Sequence, residues 1–279
     1  MKKHLFTIII ILIFLTGLSI LLYPTVASYI NAGRQSRAVA SYHEAVSKLD
    51  ERDYSDLLAA ARAYNEALRD NPNRFHFSRE DMSEYKSLLN FATGGVMGTI
   101  EIDSIGVKLP IYHGTSEAVL QIGAGHLEGT SLPVGGLGTH TGISGHRGLP
   151  SSILLTNIDR LVIGDIFLLR VLNEKLYYQV DQILVVDPQD MEAMAIEPGM
   201  DYCTLITCTP YGINSHRMLV RGGRVEGSQD VAGALKVQAE AEKISAISMV
   251  FIVLIPATAI TLIIQAIRLL INRGRRKSL

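Results

Sequence analysis

Only two cysteines, Cys203 and Cys208, occur among the 279 residues. They lie five positions apart on an apolar run that reads as one strand. At about 3.3 Å per residue they stand about 16 Å apart, and the odd offset turns them to opposite faces. A disulfide needs Cα atoms within about 7 Å, so no bridge is expected and Cys208 reads as a free thiol. Ligand spacing for a metal is also missing, because the cysteines face apart and the histidines are scattered. Gly135-Gly136-Leu137-Gly138 lacks the Lys-Ser/Thr of a nucleotide loop. Neither a metal nor a cofactor is therefore expected. Charge is sparse and balanced, 26 Lys and Arg against 27 Asp and Glu, so no basic field points to nucleic acid. There is no internal repeat and no low-complexity tract.

What the chain does have is apolar residues at its ends, which make its mean hydropathy positive. Leu5 to Tyr23 carry no charge over nineteen positions, with Lys2 and Lys3 before them and Arg34 and Arg37 after. That length can cross roughly 30 Å of hydrocarbon. Its apolar core is too long for a cleaved signal peptide, and Thr25-Val26-Ala27 is a poor cleavage site. A second uncharged run, Ile244 to Ile267, is closed by Arg268, Arg273, Arg275, Arg276 and Lys277. Pro256 and Gln265 within it are tolerable in a membrane helix. The positive-inside rule puts that cluster, and by the same vote Lys2 and Lys3, in the cytoplasm. Two spans with both ends inside leave the middle of the chain outside the cell, where a lone thiol at a strand tip points to reactivity.

Between the spans, residues 35–69 read as two amphipathic helices broken near Asp50–Asp53, with Asn71-Pro72-Asn73 ending the second. Residues 73–95 read as a connecting loop with about one helical turn. From Gly98 the period changes to two, and Phe167–Leu172 and Leu176–Val180 flank a hairpin signal at Asn173-Glu174-Lys175. Many short strands suggest a mainly β fold, a closed or nearly closed barrel. The resulting division is a cytoplasmic start and anchor over 1–24, an extracellular helical region over 25–95 and a barrel over 96–225. A linker over 226–243, a second span over 244–271 and a basic cytoplasmic tail over 272–279 complete it.

Thiol chemistry needs a thiolate and a proton relay, usually histidine. His4, His43 and His76 read as bystanders, and His113 and His126 as ordinary surface or core histidines. His216 could face either way. His140 and His146 lie in the glycine-rich segment Gly138–Gly148, which could serve a site or be a plain turn. An arginine could stabilise an oxyanion, but periodicity does not choose between Arg217 and Arg221.

Three motifs then resemble one family. Thr204-Leu205-Ile206-Thr207-Cys208 resembles the TLxTC signature of sortases, the cysteine transpeptidases of Gram-positive bacteria. Ser144-Gly145-His146-Arg147-Gly148-Leu149-Pro150 is similar to their histidine segment, and Thr209–Arg217 to the stretch reaching their arginine. The resemblance covers about residues 35–225. Helices before the barrel and a second span after it look like class C, the pilus-assembling group. The resemblance implies an eight-stranded sortase β-barrel and selects Cys208 as nucleophile, His146 as acid and Arg217 as oxyanion holder. It also implies cleavage of an LPxTG-like signal between Thr and Gly and transfer to a lysine of another pilin. A housekeeping role at the cell wall and a non-catalytic pilin-binding scaffold are the competing readings. One departure stands out. The class C lid carries Asp-Pro-aromatic, whereas this chain reads Asp70-Asn71-Pro72-Asn73-Arg74-Phe75. Either Asp70 or Phe75 does part of that work, or the lid is divergent or missing, the expected case, with freer access to Cys208.

Overall fold

The computed structural model describes residues 2–92, 94–226 and 258. The expected second span, its linker beyond Glu226 and the basic tail lie outside the described residues, Thr258 excepted. Eight strands close into one barrel: β1 (Val96–Ile102), β2 (Val107–His113), β3 (Ala124–His126), β4 (Thr139–Ser144), β5 (Ile166–Val171), β6 (Glu174–Val186), β7 (Asp201–Thr209) and β8 (His216–Val225). Their order around the barrel is β1-β2-β3-β4-β7-β8-β6-β5. Two of the eight pairings, β2 with β3 and β4 with β7, are parallel. Closure leaves no unpaired sheet edge. Strands β4 and β7 both end, and β8 begins, at what is called here the upper end.

Strand β4 was the least visible element, because its sequence reads as a glycine-rich turn. The alternating Thr139, Thr141 and Ile143 favour strand. Gly142 is closely packed, since a side chain there would meet Met194 Cε at 3.1 Å and Leu127 Cβ at 3.2 Å and these would have to give way. The interior is filled from β1, β2, β5, β7 and β8, with Ile100, Ile111, Leu169, Leu205 and Val220 fully buried. Cys203 faces inward with Leu205, and burial pushes its thiol well above the ordinary cysteine range. Cys203 and Cys208 are both free.

Helix α1 (Lys2–Ser47) contains the segment Ile11–Ser47, which is long and apolar enough to cross a membrane and is the one such helix among the described residues. Its C-terminal part packs on β1 and β2, burying Val39, Tyr42 and Val46. Helix α2 (Glu51–Arg69) starts where the sequence breaks, the Asp50 carboxylate accepting from Asp53 N at 2.8 Å. It covers the lower end of the barrel. Buried Asn65 makes a two-way pair with the Leu132 backbone at 2.7 and 3.0 Å, and Arg69 donates to the carbonyls of Leu137 and Gly138.

Residues 73–95 form more than the expected loop. Helix α3 (Arg79–Ser87) runs for nine residues behind a capping box of Ser78 and Asp81. Its buried Tyr85 bridges His126 Nδ1 at 2.9 Å and Gly114 N at 3.0 Å.

Candidate active site

Cys208 and Arg217 are directly opposed in the antiparallel β7–β8 ladder. Directly opposed residues share a face, with Cβ atoms about 5 Å apart. Since Cys203 and Leu205 point into the core, the even-numbered Ile206 and Cys208 point outward. Cys208 and Arg217 are both half-buried. The guanidinium is turned back by the carbonyls of Asn214 at 3.3 Å and His216 at 3.1 Å, both accepting from Nη1.

His146 reaches the same place by a different route. Parallel pairing of β4 with β7 ends at Ser144 opposite Ile206. Two further bonds prolong it, Gly145 N to Ile206 O at 3.0 Å and Thr207 Oγ1 to Gly145 O at 2.9 Å. His146 is thereby brought level with Cys208. The glycines around it are steric requirements. A side chain at Gly145 would lie 2.7 Å from Leu155 Cγ, and Gly148, at φ +80°, lies against the Tyr211 ring. Sequence reasoning missed two neighbours. Glu117 Oε2 stands 3.1 Å from His146 Nε2, although 29 residues separate them and no pattern links them. Arg147 pairs with Asp159, stacks over Tyr211 at 5.9 Å and approaches Thr209 Oγ1 at 3.4 Å. It therefore ties the histidine segment to the residues just after the cysteine.

The remaining candidates fall elsewhere. His140 is buried, with Nδ1 2.7 Å from Ala195 O and Nε2 2.7 Å from Thr204 Oγ1, and burial lowers its pKa to about 4. It pins the β6–β7 connection to the barrel. His126 is likewise lowered to about 4 by burial. His216 is exposed beside Ser215 and Asp187, and Arg221 pairs with Asp181. Among the described residues no cluster of His, Cys, Asp and Glu could hold a metal ion.

Below Cys208 on the outer face lies an apolar trough built on Met194, Ile206 and Leu219. The segment before α3 sits in it. Phe75 packs on the trough, and the Arg74 guanidinium stacks on Phe75 at 4.5 Å. Arg74 also donates to Gly129 O at 3.1 Å and Met194 O at 2.7 Å, holding both walls. Gly129, at φ +84°, permits this approach, since a side chain there would meet the Phe75 ring at 2.5 Å. Asp70 is exposed at the end of α2, beside the Arg69 that serves the lower end, away from Cys208. Residues 74 and 75 are thus docked on the barrel through contacts of an arginine and a ring that the missing acid-proline pattern did not announce.

The family model of the sortase domain matches residues 100–225. The solved structure of sortase C1 from Streptococcus agalactiae is 47% identical, with a TM-score of 0.66, covering 69% of this chain and 100% of that one. Sortase C from Streptococcus pneumoniae is 45% identical with a TM-score of 0.62, covering 68% of this chain and 97% of that one. Sortase A from Bacillus anthracis is 26% identical over 225 residues, 80% of this chain and 96% of that protein. The chain belongs to the sortase family of cysteine transpeptidases, in its class C.

Proposed function

We propose that Cys208, His146 and Arg217 form the catalytic set of a membrane-anchored transpeptidase that joins pilin subunits. The observation that carries this is the cross-strand opposition of Cys208 and Arg217 with His146 brought level by the β4–β7 register. The Cys208 thiolate attacks the threonine carbonyl carbon of an LPxTG-like signal. Arg217 steadies the oxyanion, and His146 gives its proton to the departing glycine amine as the C–N bond breaks. A lysine amine of another subunit then attacks the thioacyl carbon, forming an isopeptide bond and releasing the thiol. Glu117 sets the His146 ring from its Nε2 side.

The lid in this reading is Arg74–Phe75, and Asp70 takes no part in it. α1 is the retained anchor, since its C-terminal turns are built into the barrel's packing. A second span over 244–271 with both ends cytoplasmic completes the topology. Domain limits of 25–95, 96–225 and 226–243 are part of the same proposal.

The test uses the full chain in detergent with an LPxTG-type peptide and a pilin domain. A thioacyl adduct absent from Cys208→Ala, with pilin–pilin ladders, is the expected result. Transfer only to a cell-wall peptide would instead indicate a housekeeping role. Absence of any adduct would remove both readings and leave a binding scaffold.

A further inference from the structure

The strand directions and the path of α1 together orient the barrel. α1 carries no charged residue or histidine from Leu5 to Gly33, 29 residues. At 1.5 Å per residue that is about 43 Å, which matches a bilayer of about 40–45 Å with both headgroup layers. Arg34 then marks the far edge of the bilayer, with Asn31 just inside it and Gln35 just beyond. Both of these residues touch the barrel. Asn31 Nδ2 donates to Ser151 O at 2.9 Å and Gln35 Nε2 to Ser152 Oγ at 3.0 Å. Ser151 and Ser152 lie in the connection that leaves β4 at the upper end, five and six residues beyond His146.

Farther along α1, Tyr42 reaches the lower end. Its hydroxyl donates to Met97 O at the start of β1 and accepts from Leu172 N in the β5–β6 turn. The helix therefore descends the barrel from its upper end, and the end bearing Cys208 is the one beside the bilayer.

Five exposed apolar side chains gather at the upper end, against Leu137 and Met200 at the lower. Ile153, Val162 and Ile163 in the β4–β5 connection and Tyr211 and Ile213 in the β7–β8 connection are 59–72% exposed. A groove of about 280 Å³ opens at this level between Ser28 and Ala32 of α1 and Lys108 and Ile153 of the barrel. Arg34 and Arg37 are exposed on the same stretch of helix, and Lys108, which pairs with Glu101, still shows more than half its side chain.

We infer that the catalytic end of the barrel rests on the outer lipid surface, with Ile153 at the headgroup boundary and Arg34, Arg37 and Lys108 among anionic headgroups. Apolar side chains flanked by cations suit such a surface. The inference rests on reading α1 as the retained anchor. In consequence, the β4–β5 connection carrying His146 is held at a fixed height on the membrane helix.

The chain contains no tryptophan, so one introduced indole reports alone. The full chain is reconstituted in phosphatidylcholine–phosphatidylglycerol vesicles, with and without brominated acyl chains, as Ile153→Trp and as Leu137→Trp. Leu137 precedes β4 at the lower end and is 73% exposed. The expected result is blue-shifted emission that brominated lipid quenches at position 153, and red, unquenched emission at 137. Val162→Trp serves as a second upper-end reporter should Ile153→Trp fold poorly. Equal quenching at both ends, or stronger quenching at 137, would overturn the orientation. So would emission at 153 that responds to a sorting peptide in detergent but not to brominated lipid. The readout needs no turnover, and Cys208→Ala is expected to leave it unchanged, which separates this orientation from the proposed chemistry.

Discussion

The two ends of the barrel use the same strands for opposite purposes. At the lower end α2 covers the opening, and Asn65 there finds a buried partner in the Leu132 backbone. At the upper end, among the described residues, the one helix beside the catalytic set is the single turn Glu117–Leu120. The side chains there are held by loops, and Cys208, His146 and Arg217 are left half-buried. Buried and fully bonded groups resist solvent and stay put; a nucleophile has to meet its substrate. The barrel separates these needs by placing them at opposite ends of shared strands.

Substitutions that affect one end and leave the other intact test this division. The largest effect belongs to Cys208→Ala, expected to abolish adduct formation while thermal unfolding of the full chain stays unchanged. Arg217→Lys keeps the charge but loses the planar fork. It is expected to lower kcat by about 10²–10³ with little change in stability, checked by steady-state kinetics beside an unfolding curve.

Acid should act on the buried histidines first. His126 and His140 are held neutral to about pH 4, against about 6.5 when unfolded. Between those values the unfolded chain binds protons that the folded chain refuses, so stability falls as pH drops through that window. The loss is on the order of 3 kcal/mol per histidine by pH 4. Denaturant curves from pH 7 to 4.5 measure it, and His140→Gln should flatten the slope. Asn65→Ala leaves the buried Leu132 N–H unpaired, while its carbonyl keeps the Val134 N–H at 2.8 Å, and is expected to cost about 1–2 kcal/mol, with the labelling rate of Cys208 unaltered. The smallest effect is that of Phe75→Ala, which should speed modification of Cys208 by a bulky thiol reagent without moving the unfolding midpoint. An unchanged rate would show that Arg74–Phe75 does not restrict access.

Much of the upper end was legible because its chemistry is written in one strand pair. Thr204–Cys208 is an apolar run with a thiol at its tip, which marks Cys208, whereas periodicity left Arg217 and Arg221 open until the family resemblance chose between them. The break at Asp50 was visible for a similar reason, an N-cap acid between two helical periods. β4 was obscured by Gly142, whose missing side chain is explained only by Met194 and Leu127 from distant segments. α3 was masked by its polarity, having Tyr85 as its one buried residue, although Ser78 and Asp81 did carry a capping signal. The seat of Phe75 depends on Gly129 and Met194, contacts across 54 and 119 positions that local pattern does not encode. The proximity of Glu117 to His146 is of the same kind.

Cys203, turned into the core five residues before Cys208, makes the chain its own counting standard. A water-soluble thiol reagent applied to the folded protein should add one label per chain, at the upper end. The second label should appear only as the barrel opens, so mass measured along a denaturant series would report active-site content and unfolding from one sample.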